Sequence, residues 1–304
     1  MTWRAVTQEP SELGESPFWH PQQRLLYWVD IPGCKILRAN PVTGAIQAWD
    51  MPMEPGCIAP AASGGLIVAL RDGIYRAHEW GVGLRLLHRI DHDVATTRFN
   101  DGKADPLGRF WAGTMYEPRT AAVAELLALD CRDGRPPHVQ RMAGDVTIAN
   151  GLAWSPDQRR VYWADTAQHT IRVWDWDAQT NVMKAEREFH RFNPKPASWQ
   201  SGMPGYGGRP DGAAVDTQGN YYVAMFEGQR LLKLAPDGKI LSEIQTPVMC
   251  PTMPCFGGDD LKTLYITSAR HNRSAAELAR MPQSGCIFST RVEVPGLPVN
   301  LFRD

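Results

Sequence analysis

The chain has 304 residues, 43% hydrophobic and 21% charged, with a formal net charge of −1. This is an ordinary balance for a soluble globular protein, and the lack of a long basic run argues against nonspecific nucleic-acid binding. No apolar run approaches the roughly 18 residues a membrane helix needs; Gly65 to Leu70 is among the longest.

The first ten residues, Met1 to Pro10, contain no apolar segment of the kind a secretory signal requires. Six cysteines, at 34, 57, 131, 250, 255 and 286, form no Cys-x-x-Cys pair. They are expected to be reduced core thiols, and the chain to be cytoplasmic. Length alone does not decide the domain count, because all-β propellers of this size form one domain.

Taken in order, the chain repeats one phrase: an oxygen-bearing turn followed by short aromatic or β-branched strands. Six units start near Glu15, Gly56, Phe99, Ala149, Pro210 and Pro251. Most are separated by roughly 40 to 50 residues, the spacing of propeller blades. In the first unit His20-Pro21-Gln22-Gln23 leads into Leu25–Asp30, and Lys35–Arg38 follows. The fourth repeats this with Ser155-Pro156-Asp157-Gln158, Arg160–Asp165 and Thr170–Trp174. The fifth has Asp216-Thr217-Gln218-Gly219, Asn220–Met225 and Arg230–Leu234. Such runs, bounded by Pro, Gly, Asp and Asn, predict hairpins.

Ala121 to Leu129 is rich in Ala and Leu but fills a strand slot, so a strand is expected. Ser274-Ala275-Ala276-Glu277 has capping-box form and predicts a short helix. The architecture expected is a single all-β domain over 1–304, a six-bladed β-propeller with four-stranded blades around a channel.

No Gly-x-Ser-x-Gly elbow, P-loop or dinucleotide-binding glycine motif is present. His88 and His92 are four apart, but Leu86–Ile90 reads as an outer strand, which places them about 13 Å from each other. Glu15, Asn150 and Asp211 each open a different unit, at positions that line a propeller's channel. Two carboxylates and an amide oxygen suit a divalent cation. The competing reading is that Asn-Gly and Asp-Gly mark only tight bends.

Several phrases carry a resemblance: Gly14-Glu15-Ser16-Pro17, Arg98-Phe99-Asn100-Asp101-Gly102-Lys103, Gly108–Met115, Asn150–Asp157, Pro210-Asp211-Gly212 and Cys255-Phe256-Gly257-Gly258. Together they resemble the SMP-30/gluconolactonase/LRE family of regucalcin-like sugar lactonases, from about Glu12 to Val294. The resemblance implies one divalent metal (Ca, Zn, Mn or Fe(II)) held by Glu15, Asn150 and Asp211. It also implies a small-molecule sugar lactone as substrate, contacted by Arg98 and Asn100. A further acidic contact falls on Glu117, with Pro118 as the other occupant of the matching column. Asp211 is then the candidate catalytic base, and Asp101 and Gly102 are expected to shape a turn. The longer connection from Phe189 to Arg209 is either a lid or a plain surface loop. An organophosphate-hydrolysing propeller and a non-enzymatic calcium-binding propeller are the alternatives.

Overall fold

A computed structural model describes residues 2–304. Twenty-four strands are arranged in six four-stranded antiparallel sheets. Blade one comprises β2 (Gly14–His20), β3 (Leu25–Asp30), β4 (Lys35–Ala39) and β5 (Ile46–Asp50), and follows β1 (Arg4–Ala5). Blade two comprises β6 (Pro55–Pro60), β7 (Leu66–Leu70), β8 (Gly73–Ala77) and β9 (Arg85–Arg89). Blade three comprises β10 (Thr97–Ala104), β11 (Phe110–Tyr116), β12 (Ala124–Asp130) and β13 (His138–Val146). Blade four comprises β14 (Ala149–Trp154), β15 (Arg160–Asp165), β16 (Thr170–Asp177) and β17 (Val182–Arg191). Blade five comprises β18 (Arg209–Val215), β19 (Tyr221–Phe226), β20 (Arg230–Leu234) and β21 (Ile240–Gln245). Blade six comprises β22 (Pro251–Gly257), β23 (Thr263–Ser268) and β24 (Phe288–Arg291), with β1 as its outer strand.

The six-bladed propeller and its unit starts are as the repeat predicts. The strand at 124–130 and the helix α1 (Ala275–Arg280) are also present. The Ser274 hydroxyl accepts the Glu277 amide at 3.2 Å, capping that helix. His88 lies on the outer strand β9, and the His92 ring bonds the Arg71 carbonyl, so the two do not form a metal pair. All six cysteines are free thiols. Among the described residues no helix is long and apolar enough to cross a membrane.

The blades are held together by the period-2 alternation of strand side chains. Along β3, Leu26 and Trp28 pack towards blade six while Tyr27 and Val29 pack towards blade two. Six hydrophobic clusters result, one at each blade boundary. Both faces of each inner strand are therefore buried, which explains why these strands read as nearly continuous apolar runs.

Two closures give the channel its polarity. β1 pairs with β24, so the N-terminal residues complete the last blade. The C-terminal tail crosses beneath the opposite end. Leu297 bonds Val215, Asn300 bonds Ala104, Phe302 bridges to Ala61, and Arg76 pairs with Asp304 at 2.8 Å. The mouth away from the tail is the one bearing Glu15, Asn150 and Asp211.

Candidate metal centre and active site

Each innermost strand breaks register at the same point. The breaks lie between Glu15 and Phe18, Pro55 and Cys57, Phe99 and Gly102, Asn150 and Ala153, Pro210 and Ala213, and Pro251 and Pro254. A bulge bends a strand and re-aims its side chains. Glu15 and Asn150 are the last paired residues before their bulges. Asn100 and Asp211 are the first unpaired residues within theirs.

The tight-bend reading of the Asn-Gly and Asp-Gly phrases is thereby corrected. Asp101, Gly102, Gly151 and Gly212 all lie inside strands. Gly151 has φ 65°, and a Cβ on it would sit 2.4 Å from the Tyr221 hydroxyl oxygen. Glycine is thus required there both by backbone conformation and by the close approach of blade five.

Two aspartates set the entry to these strands. Asp30, at the end of β3, accepts the amides of Glu12 and Leu13 at 3.0 Å each. Asp165, at the end of β15, accepts those of Thr147 and Ile148 at 3.1 and 3.2 Å. Each carboxylate holds the backbone two to three residues ahead of a proposed metal ligand.

Glu15, Asn150 and Asp211 are all buried, at 6%, 2% and 5% exposure. Burial, then the Asp211 and Asp101 charges, pushes the Glu15 carboxyl well above its usual range. Burial, then Asp101, does the same to Asp211, with Arg209 opposing. Neither carboxylate has a cationic side chain within 4.0 Å among the described residues. Asp101 accepts the Leu152 amide through one oxygen at 2.8 Å and buries the other without a partner.

A chain of hydrogen bonds crosses from blade three to blade five. Arg98 donates to Asn100 Oδ1 at 2.8 Å, and Asn100 Nδ2 donates to Asn150 Oδ1 at 3.1 Å. Asn150 Nδ2 then donates to the Thr166 hydroxyl at 2.8 Å, which donates to the Pro210 carbonyl at 2.7 Å. The Asn150 amide is so oriented that its oxygen carries the free lone pair. Asn100 also donates to the Ala149 carbonyl at 2.9 Å, so both its amide hydrogens are used within the protein.

Glu117 lies at the rim, where the structure pairs it with Arg71 at 2.9 Å and Arg98 at 3.4 Å. Arg71 also bonds Glu54 at 3.0 Å. Arg71 and Glu54 come from blade two and belong to no motif the sequence singles out. The 189–209 connection is packed on the same rim. Tyr206 bonds His169 at 2.8 Å, Trp199 stacks edgewise on Tyr206 at 5.0 Å, and Lys195 pairs with Glu227 at 2.9 Å. A cavity of ≈ 280 Å³ lies elsewhere, on the tail side of the channel against Lys103, Trp154 and Leu297.

A sequence model of the SMP-30/Gluconolactonase/LRE-like region matches residues 13–270. The chain belongs to that family. It is 46% identical to a 6-deoxy-6-sulfogluconolactonase of Pseudomonas putida, over 99% of this chain and 98% of the relative. Regucalcin of Oryctolagus cuniculus is 34% identical, over 96% of this chain and 95% of its own. The solved structure of the calcium-binding protein regucalcin from Agrobacterium tumefaciens shares the fold, with a TM-score of 0.89 at 24% identity, covering 100% and 98% of the two chains.

The donor set of this family member fits a divalent cation. Among the described residues no three His, Cys, Asp or Glu side chains are grouped to hold an ion by themselves, so the Asn150 oxygen is needed to complete a set of three. Two desolvated, mutually repelling carboxylates without a cationic partner are costly unless protonated or neutralised by a cation. All three donors are hard oxygens, suited to a hard or borderline cation with positions left for water and substrate.

Proposed function

We propose that the protein is a metal-dependent sugar lactonase that opens an aldonolactone to the aldonic acid. Convergence of Glu15 and Asp211, buried and without protein cations, beside the oriented Asn150 amide carries this reading. The kinship with a 6-deoxy-6-sulfogluconolactonase supports hexonolactones as the substrate class.

Glu15, Asn150 and Asp211 hold the ion. A divalent cation bound there supplies Lewis acidity towards a carbonyl oxygen and makes water more acidic. Asp211 takes the proton from the attacking water. The water oxygen adds to the lactone carbonyl carbon, the ring C–O bond breaks, and the proton reaches the departing ring oxygen as a hydroxyl. Arg98, held by Glu117 and by the Phe99 carbonyl at 2.8 Å, directs positive charge towards substrate hydroxyls and the developing oxyanion. Asn100 acts mainly through Asn150, with Oδ1 as its remaining link to Arg98.

The test is a panel of pentono- and hexonolactones, with a phosphotriester as comparison, assayed on chelated protein supplied with Ca, Zn, Mn or Fe(II). Metal-dependent release of aldonic acid supports the reading. Hydrolysis of the phosphotriester alone, or metal binding without turnover of any lactone, overturns it.

A further inference from the structure

The second strand of each blade returns to the mouth, where its last residue pairs with the start of the inner strand. Leu70 pairs with Pro55 in blade two, and Tyr116 with Thr97 in blade three. The residue that follows sits on the rim. In these two neighbouring blades it is Arg71 and Glu117.

Arg71 is saturated by the protein. Nε and Nη2 donate to the two Glu54 oxygens at 3.0 and 3.2 Å, and Nη1 donates to the Val94 carbonyl at 2.7 Å. Nη1 and Nη2 both donate to Glu117 Oε2, at 3.0 and 2.9 Å. Those are all five hydrogens a guanidinium carries, so Arg71 has none left for a substrate. Burial works to raise the Glu54 pKa, but the Arg71 bonds outweigh it and hold it below the ordinary range. Glu54 is thus a charged anchor for Arg71.

Glu117 is the opposite case. Its Oε2 takes both Arg71 bonds, while Oε1 accepts no hydrogen bond among the described residues and stands 3.4 Å from Arg98 Nε. Arg98 bonds Asn100, which bonds Asn150, so this open oxygen lies on the side of the candidate metal centre. An ionised carboxylate only accepts hydrogen bonds. A hydroxyl completes it; a carbonyl oxygen or an anion does not.

We propose that Arg71, anchored by Glu54, is a positioning residue that turns Glu117 so that Oε1 accepts from a hydroxyl of the bound lactone. This rests on the lactonase reading, and it makes blade two part of the device that selects hydroxylated lactones. Arg71 and Arg98 are the two cations within 4.0 Å of Glu117. Without Arg71 the carboxylate closes on Arg98 alone, and its open oxygen is lost to the substrate.

The experiment measures kcat and KM for an aldonolactone and for the hydroxyl-free lactone of the same ring size, on metal-loaded wild type, Arg71→Ala, Arg71→Lys and Glu54→Gln. Arg71→Ala should raise KM for the aldonolactone by about 10-fold, with kcat little changed, the scale of one hydrogen bond to a charged group. The hydroxyl-free lactone should stay within about 2-fold. Lysine should restore part of the preference, and Glu54→Gln should lower it by a smaller factor. An equal loss on both lactones makes Arg71 a residue of the fold and overturns the proposal. Should Arg71→Ala not fold, Arg71→Lys and Glu54→Gln carry the same comparison, and an unaltered preference in both overturns it. In a Glu117→Ala background, Arg71→Ala should change the preference by less than about 2-fold. A full loss there overturns the route through Glu117.

Binding of an aldonate, against a hydroxyl-free carboxylate of the same chain length, is measured by calorimetry on the same proteins. Hydroxyl-selective binding lost in Arg71→Ala, with no lactone turned over by wild type, would keep the positioning role and overturn the lactonase reading. Lactone turnover with the same hydroxyl preference in every variant would do the reverse.

Discussion

Asn100 Nδ2 lies 3.1 Å from Asn150 Oδ1, joining the bulge of blade three to that of blade four. Asn100 accepts from Arg98 on its other side, so the Arg98 guanidinium and the Asn150 amide share one rigid partner. A residue that orients a metal ligand is worth about 10- to 100-fold in affinity. Asn100→Ala is accordingly expected to weaken metal binding by that factor and to raise the metal concentration needed for half-maximal lactonase activity. A direct metal titration checks it. Unchanged affinity with reduced turnover would place Asn100 at the substrate instead.

Arg98 donates to Asn100 and the Phe99 carbonyl and pairs with Glu117. Arg98→Ala should lower kcat/KM for hydroxylated lactones by about 100-fold, on the scale of losing an oxyanion donor. A bare lactone without ring hydroxyls should suffer less. An equal loss on both substrates would assign Arg98 to the fold or to the metal shell.

Glu227 couples the 189–209 connection to the rim. Burial works to raise its pKa, but Arg209, Lys195 and Arg273 outweigh this and hold it below the ordinary carboxylate range. Its contribution to stability is therefore complete above the unfolded-state pKa and is lost as pH falls through the depressed folded value. Thermal melts of wild type and Glu227→Gln should differ most above about pH 5 and converge in more acidic buffer. A difference that grows with acidity would contradict the assignment.

Gly151→Ala places a Cβ against the Tyr221 hydroxyl in a left-handed backbone position. Overpacking and strain of this kind cost about 1–3 kcal/mol each. A lowered Tm and weaker metal binding are expected together, because the change sits beside Asn150.

The spacing of the aromatic strand phrases made the six blades legible. The carboxylate and amide positions of three inner strands were likewise readable as a potential centre. Closure of blade six by Arg4–Ala5 was not, because a two-residue strand paired to Ser289 and Phe288 leaves no local pattern. The bulges look like turns in sequence, since Asn-Gly and Asp-Gly have the same composition in both. Arg71 and Glu54 carry no sequence signal for a related reason: Arg71 joins Glu54 to Glu117 only through tertiary packing. Asp101, assigned to a turn, instead joins blade three to blade four and adds its charge to the centre.

The central claim is that Glu15, Asn150 and Asp211 hold the ion on which lactone opening depends. The most direct measurement is hydrolysis of an aldonolactone by chelated wild type and Asp211→Asn as a single divalent metal is added back. Wild-type activity should return with stoichiometric metal, while Asp211→Asn stays at least about 100-fold lower at saturation. Full activity in Asp211→Asn, or in wild type after rigorous metal removal, would contradict the account.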